Sequence, residues 1–120
     1  YGYQAADHPR MHATFQRIER ELTENGFVYR YRTGTDDGMP AGENPFVITS
    51  FWAASYIARL GDRDGAFRRF EHVLGCANDV GLFAEQVTPD GREARGNFPQ
   101  AFSHVGLVNA AYALQQMDAG

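Results

Sequence analysis

The sequence has no lysine, a single cysteine and no long apolar run, and each shortage excludes a class of protein. Eleven arginines face fifteen acidic residues, which gives a formal net charge of −4. Such a chain has no net basic field to attract nucleic acid or anionic lipid, so we expect neither partner. No apolar run approaches the ~20 residues of a membrane span. Residues 1–7 lack the basic and apolar regions of a signal peptide, and with one free cysteine this favours a cytoplasmic location.

The sequence also offers little for thiol or metal chemistry. Cys76 has no partner for an internal disulfide and lies among apolar and small residues, so we expect a buried structural thiol. His8 and His12 are spaced by one helical turn, but no third ligand and no HExxH motif accompany them. Residues 36–38 have the composition of a turn and lack the ligand repeat of a calcium loop. We therefore expect no metal and no cofactor.

What the sequence does contain is helix-forming segments. The 120 residues are 43% hydrophobic, with charge spread along the chain, which indicates one soluble globular unit. Helical periodicity or composition marks four segments: residues 8–25 capped by Asp7, 44–61 opened by Asn44 and Pro45, 62–77 capped by Asp62, and 98–117. The first and third have one apolar face, whereas the second and fourth are apolar on nearly all sides. This pattern indicates alternating outer and inner helices.

We therefore predict an all-α fold, a partial α/α toroid of about four helices in the order outer, inner, outer, inner. Because antiparallel neighbours put alternate connections at opposite ends, the long loops 26–44 and 78–97 should lie at the same end. Loops on a rigid scaffold carry function, so that end is where a site is expected. Two inner helices cannot close a ring, and four helices give the second little cover. We expect either packing between copies or a larger whole.

Glu85 is the first candidate for chemistry, because it is a carboxylate in an apolar stretch of the second long loop. Apolar surroundings raise the pKa of a carboxyl group or hold it ready as a base, although a solvent-facing glutamate has the same local sequence. The start of the last helix brings amide, hydroxyl and imidazole groups that can orient the carboxylate: Asn97, Gln100, Ser103 and His104. The alternative is that Asn97 caps the helix, with Ser103 and His104 as satisfied interior polar groups.

Residues 27–32 form a second candidate segment, FVYRYR. Aromatic side chains alternate there with basic or aliphatic ones, which predicts a short extended strand. Tyr29, Arg30, Tyr31 and Arg32 offer the stacking surfaces and bidentate donors that suit a sugar. A strand packed beneath the helices has the same pattern, so both interpretations stay open.

Four segments resemble, in order along the chain, the C-terminal part of the catalytic domain of glycoside hydrolase family 15. They are residues 42–46 (GENPF), 50–52 (SFW), 78–86 (NDVGLFAEQ) and 96–105 (GNFPQAFSHV). The resemblance runs from about residue 27 onward, to a family that holds glucoamylases, glucodextranases and bacterial trehalases. It implies an (α/α)6 toroid and inverting hydrolysis of α-glucosidic bonds. Inversion needs a general acid and a general base about 6.5–9.5 Å apart, with the attacking water between base and sugar.

The resemblance also assigns roles to individual residues. Glu85 matches the general base and is followed by Gln86 in the family's Ala-Glu-Gln segment. Arg30 and Tyr31 resemble an arginine-containing loop that lines the pocket for the terminal sugar, with Arg32 as a rival to Arg30.

Supporting groups and one gap follow from the same resemblance. Ser103 falls where a polar side chain supports the base, and Trp52 is expected in the core rather than in the pocket. The family's general acid is a glutamate in an upstream Trp-Glu context, which these 120 residues do not contain. Glu43 is the only other glutamate on the same loop face, and its place beside a helix start is explained by the helix dipole rather than by an acid role.

The leading hypothesis is that residues 1–120 are the C-terminal fragment of an inverting α-glucoside hydrolase. The fragment would supply the general base and part of the sugar pocket, and would be inactive alone. Its partners would then be an α-glucoside or oligosaccharide substrate and the missing N-terminal part of the same protein. The alternative is a non-catalytic module that binds sugar or assembles with copies of itself. The sequence leaves open which α-glucoside is bound.

Overall fold

The computed structural model describes residues 2–32 and 43–119, which contain four α-helices and two short antiparallel hairpins. The helices are α1 (Pro9–Leu22), α2 (Val47–Arg59), α3 (Arg63–Leu74) and α4 (Ala101–Ala119), and the strands are β1 (Thr23–Glu24), β2 (Phe27–Val28), β3 (Gln86–Val87) and β4 (Ala94–Arg95). The predicted all-α class is confirmed. The turn predicted at residues 36–38 and Gly42 of the GENPF segment lie outside the described residues.

Helix α2 is the centre of the fold, packed between α3 and α4. The ring of Phe51 is fully buried and contacts Phe70 of α3 and Phe83 of the loop before β3, with ring centroids 5.7 and 5.5 Å apart. Six other α2 residues are buried with it: Val47, Ile48, Ser50, Ala53, Ala54 and Ala58. The interior position predicted for this helix is confirmed, and the helix has more cover than the little that was expected, although its Trp52 side chain stays 39% exposed. Neighbouring helices and the Phe83 loop supply that cover within one chain.

Helix α4 is not interior in this structure, contrary to the prediction. One face is buried against α2 through Ser103, Gly106, Ala110 and Leu114. The other face leaves four large side chains half or more exposed: Phe102, Val105, Val108 and Tyr112. We refer to these four residues as the open face of α4. Trp52 lies beside it, with its ring edge-on to that of Phe102 and the ring centroids 6.1 Å apart. It is 39% exposed, so the prediction that Trp52 is a core residue is wrong.

Helix α1 lies at the edge of the fold, and none of its residues is buried. Its apolar face lines an open groove of about 330 Å³ beside α2, formed in part by Met11, Phe15, Ile18 and Leu22. A bidentate ion pair between Glu19 and Arg69 joins α1 to α3, and the Tyr56 hydroxyl donates to the Ala6 carbonyl at 2.7 Å. The predicted outer helix therefore covers its side of the core only loosely.

The ends of α1 differ from the predicted ones for identifiable reasons. His8, not Asp7, caps the helix, because its Nδ1 accepts a hydrogen bond from the Arg10 N–H. The helix ends at Leu22 because Asn25 and Gly26 form a two-residue hairpin turn, with φ values of 53° and 81°. Asn-Gly is the pair that favours such turns between short strands. The predicted strand over residues 27–32 is accordingly reduced to β2, Phe27–Val28.

The starts of the two inner helices differ from the predicted ones, and for α2 the reason is long-range pairing. Asp62 caps α3 as predicted, by accepting from the Gly65 N–H at 2.9 Å. Helix α2, however, begins at Val47 and not at Asn44, because the backbone of Phe46 is paired with Val28 of β2. Helix α4 begins at Ala101, three residues after the predicted start. None of the helices in the described parts of the chain has the combination of length and apolar character that crossing a membrane requires.

Cys76 is half-buried at the edge of the core rather than fully buried as expected. Its burial raises the pKa of the thiol to about 11. Because the thiolate is the reactive form, this thiol is unreactive near neutral pH, in agreement with a structural role.

Candidate active site

A strip of strand pairing brings the two long connections together. Phe46 pairs antiparallel with Val28 on one side and with Gln86 on the other, so the hairpins β1–β2 and β3–β4 are linked through it. The Phe46 N–H donates to the Val28 carbonyl at 3.0 Å, and the Val87 N–H donates to the Pro45 carbonyl at 3.1 Å. The expectation that the two long loops lie at the same end is confirmed for their described residues. The strip sets the residues after β2, before α2 and before β3 side by side.

Glu85 lies immediately before β3 and is fixed through its backbone and its side chain. Its N–H donates to the Asn97 carbonyl at 2.8 Å, and its carbonyl accepts from the Val47 N–H at the start of α2 at 3.1 Å. Its carboxylate Oε2 accepts from the Asn97 N–H at 3.1 Å. Among the described residues, no hydrogen bond reaches Oε1. Glu85 is half-buried. The Asn97 N–H fixes Oε2 in place, while Oε1 stays available to a ligand or water.

Gly96 is the residue that makes room for this carboxylate. Its φ of 72° lies in the left-handed region, and a Cβ built there would lie 2.9 Å from Glu85 Oε2 and 3.1 Å from Glu85 Cβ. A side chain at this position would be strained and would press on the carboxylate. The next residue, Asn97, contacts Glu85 through its backbone N–H. It does not cap α4, because that helix begins four residues later.

Three polar residues near the start of α4 hold the loop that carries Glu85. The buried Ser103 hydroxyl donates to the Ala84 carbonyl at 2.7 Å. His104 Nε2 accepts from the Phe83 N–H at 3.2 Å, so its Nδ1 carries the proton and donates to the Gln100 carbonyl at 2.6 Å. The Gln100 N–H donates to the Phe83 carbonyl at 3.0 Å. The side chains of Ser103 and His104 and the backbone of Gln100 therefore act on the backbone before Glu85 and not on its carboxylate.

Replacing Ser103 with alanine should destabilise the fold by about 1–3 kcal/mol, because the Ala84 carbonyl would lose its partner in a buried position. The matched control is Ser55→Ala, since the Ser55 hydroxyl is buried on α2 without a hydrogen-bond partner among the described residues. Urea unfolding of both variants measures the difference. A Ser103→Ala midpoint equal to that of Ser55→Ala would contradict the supporting role.

Arg30 lies two residues after β2 and has a fixed position. Its Nε and Nη2 donate to the two carboxylate oxygens of Glu43 at 3.2 and 3.3 Å. Its guanidinium carbon lies 4.1 Å from the centroid of the Phe46 ring and 5.2 Å from that of Tyr31. The hydrogen bonds that Arg30 donates to Glu43 raise the pKa of Arg30 against the opposing effect of burial, with smaller contributions from the charges of Glu43, Tyr31 and Glu85. Phe46, whose ring lies under Arg30, is paired with Gln86, so Arg30 lies beside the segment that carries Glu85.

The other residues of the 27–32 segment point to different neighbours. The Tyr29 hydroxyl donates to Glu24 of β1 at 2.7 Å, and burial, together with this carboxylate, raises the pKa of Tyr29 to about 12. Arg32 pairs with Glu21 of α1 at 2.6 Å. In a regular strand residues 30 and 32 would share a face, but β2 has ended by then. The structure therefore gives Arg30 and Arg32 different acidic partners, Glu43 and Glu21.

The sequence did not reveal the Phe46 ring beneath Arg30, the pairing of Arg30 with Glu43 or the need for Gly96. All three depend on pairing between segments that lie far apart in the chain. Gln86, the neighbour of Glu85, occupies the first position of β3 and fixes the register with Arg95. The one local signal is the Gly-Asn pair at residues 96–97, which follows the charged β3–β4 hairpin and is typical of a turn.

Among the described residues, no group of three His, Cys, Asp or Glu side chains is placed to hold a metal ion. His8 is engaged as the cap of α1, and His12 Nε2 lies 3.0 Å from the Gln16 amide.

Residues 1–112 match Glycosyl hydrolases family 15, and the chain therefore belongs to this family. It is similar to several curated trehalases. It is 44% identical to the trehalase of Mycolicibacterium smegmatis over 88% of the chain and 16% of the relative. It is 38% identical to trehalase 2 of Sulfolobus acidocaldarius over 79% of the chain and 16% of the relative. For the trehalase of Thermoplasma acidophilum the identity is 32%, over 96% of the chain and 20% of the relative.

The chain thus spans only about a fifth or less of the length of these relatives. No solved structure is significantly similar to it.

Proposed function

We propose that this chain supplies the general base and one wall of the sugar pocket of an α-glucoside hydrolase, with Glu85 as the base. The observation that carries the proposal is the fixed carboxylate of Glu85, in a chain of family 15: the Asn97 N–H holds one oxygen, and none of the described residues donates a hydrogen bond to the other. Arg30 lies at the same site and offers hydrogen-bond donors for sugar hydroxyls. Tyr31 adds an aromatic ring beside it.

In the proposed reaction Glu85 takes a proton from a water molecule, and the water oxygen attacks the anomeric carbon. The glycosidic bond breaks on the opposite side, and its oxygen receives a proton from a general acid. Attack from the far side inverts the configuration at the anomeric carbon. The free oxygen of Glu85 is the atom that accepts the water proton, while the Asn97 N–H keeps the carboxylate oriented.

Glu43 does not suit the role of general acid. Both of its carboxylate oxygens accept hydrogen bonds from Arg30, an arrangement that fits an ionised acceptor rather than a proton donor. The acid would then lie outside these 120 residues, and the chain would be inactive alone. The general acid contributes about 10²–10⁴-fold to such a reaction.

Trehalose is the substrate we propose, because the similar curated proteins are named trehalases. Its two glucose units are joined through both anomeric carbons, so hydrolysis with inversion releases one β-glucose and one α-glucose, whereas retention releases α-glucose alone. The ratio of anomers formed first therefore reports the mechanism.

We expect the full natural polypeptide that contains this chain to hydrolyse trehalose and to release both anomers equally in the first minutes. The isolated 120-residue chain should release at least about 100-fold less glucose per mole, because it lacks the general acid. Glucose release and proton NMR of the products measure both outcomes. Full activity of the isolated chain would contradict the missing acid, and α-glucose alone would contradict inversion.

The open face of α4 favours a second proposal, that further helices complete a toroid around this chain. Phe102, Val105, Val108 and Tyr112 form an apolar surface on a helix whose other face is already packed. Contiguous exposed apolar surface of this kind marks an interaction site. Self-assembly of the isolated chain is the competing use of that surface, and light scattering distinguishes it from a 13.4 kDa monomer.

A further inference from the structure

The proposed function leaves the carboxylate of Glu43 without a role. The side chain of Glu43 is only 10% exposed, whereas that of its partner Arg30 is 42% exposed. A carboxylate with so little contact with water needs a charged or hydrogen-bonding partner. Glu43 has such a partner in the Nε and Nη2 edge of the Arg30 guanidinium. The pairing fixes the position of the guanidinium as well as that of the carboxylate.

We propose that Glu43 is a positioning residue for sugar recognition, which locks the Arg30 guanidinium over the Phe46 ring and leaves its Nη1 edge free for sugar hydroxyls. This inference rests on the proposed function, because it takes a sugar as the ligand. It assigns Glu43 neither proton transfer nor contact with the substrate.

Two kinds of contact constrain the guanidinium. Glu43 holds the Nε and Nη2 donors through two hydrogen bonds, and the Phe46 ring lies 4.1 Å from the central carbon on one side. Nη1 has no hydrogen-bond partner among the described residues. A planar fork that is held on one edge and one face presents its remaining donors in a fixed direction. Ordering this side chain before the ligand arrives reduces the entropy lost on binding.

The strand strip determines where the fixed guanidinium lies. Phe46 is paired between Val28 of β2 and Gln86 of β3, so the ring beneath Arg30 belongs to the segment next to Glu85. The contribution of the Glu85 charge to the raised pKa of Arg30 agrees with this placement. Glu43 therefore positions a sugar donor at the site that holds the base.

The test uses the full natural polypeptide with Glu43→Gln, which keeps the size of the side chain and removes its charge. We expect the KM for trehalose to rise about fivefold or more while kcat changes less than about twofold, because binding is lost equally in ground and transition states. Arg30→Ala should raise KM roughly 10–100-fold. The double variant should be no worse than Arg30→Ala alone, since Glu43 acts only through Arg30. A merely structural role would lower kcat at unchanged KM and would add to the Arg30→Ala effect.

Glu21→Gln is the matched control, because Glu21 pairs with the nearby Arg32 at 2.6 Å. It removes the same charge from a carboxylate that pairs with Arg32 through one oxygen and with Arg17 and Arg20 through the other, and we expect an unchanged KM. A raised KM in Glu21→Gln with an unchanged KM in Glu43→Gln would overturn the proposal and would identify Arg32 as the binding arginine.

A crystal structure of the Glu43→Gln variant gives a readout that does not depend on activity. We expect the Arg30 guanidinium to have left the Phe46 ring, and a guanidinium still seated there would overturn the proposal. Failure of the proposed function is recognised separately, because the wild-type polypeptide would then not hydrolyse trehalose. An active wild type with an unchanged KM in Glu43→Gln would overturn the role of Glu43 alone.

Discussion

Replacing Glu85 with glutamine should abolish trehalose hydrolysis by the full natural polypeptide, with a fall in kcat of about 10²–10⁴-fold. A glutamine amide cannot take the proton of the attacking water. Its oxygen can still accept the hydrogen bond that the Asn97 N–H gives to Glu85 Oε2, so the loop should keep its conformation. Initial rates of glucose release measure the loss. Calorimetric titration with trehalose should show binding that is preserved within a few-fold.

Glu93→Gln is the control for this substitution. Glu93 belongs to the same hairpin, but its side chain is 62% exposed and pairs with Arg95 at the surface. Surface ion pairs of this kind contribute little, so we expect wild-type activity and stability. Undiminished turnover in Glu85→Gln would remove Glu85 as the base, and loss of turnover in both variants would point to damage to the hairpin.

The order of the helices could be predicted because each helix has its own periodic pattern. The buried side chains of α2 and the capping of α3 by Asp62 depend on neighbouring residues in the sequence, and both agree with the structure. The helix ends depend instead on distant partners. Phe46 pairs with Val28 and Gln86 rather than beginning α2, and no local propensity contains that information.

The candidate site was predictable to a similar extent. Glu85 could be selected from its local setting and from the family resemblance, and the meeting of the two long loops follows from alternation of the helices. The contacts that set its geometry could not be selected in this way. Gly96 is needed because of the Glu85 carboxylate above it, and Arg30 is separated from Arg32 because β2 ends at Val28. The first depends on a contact between residues 11 apart in the sequence, and the second depends on where the pairing between β1 and β2 stops.

The open face of α4 shows a different kind of error, because the apolar pattern predicted burial on sides that the described residues leave exposed. Its apolar residues on two sides predicted an interior helix, yet the described residues cover only the side that faces α2. An apolar pattern reports the surroundings for which a helix was selected, and those surroundings need not all lie in one segment of chain. The pattern thus supports packing beyond these 120 residues.

Phe83→Ala should lower the free energy of unfolding of this chain by about 3–5 kcal/mol, which is a large part of the stability of a small domain. The Phe83 ring is 1% exposed and lies against Phe51 at 5.5 Å and His104 at 5.6 Å. Its removal would leave a cavity between α2, α4 and the Glu85 loop. Urea unfolding measures the loss, and in the full polypeptide activity should fall as well, because Glu85 lies two residues away.

Phe102→Ala is the matched control, since the same atoms are removed from a ring that is 52% exposed on the open face of α4. In the isolated chain it should change stability by less than about 1 kcal/mol, because an exposed ring leaves no cavity when it is removed. If further helices cover this face in the full natural polypeptide, the same substitution should cost about 3–5 kcal/mol there. Equal small effects in both contexts would mean that the open face stays exposed, and a toroid closed over α4 would then be wrong.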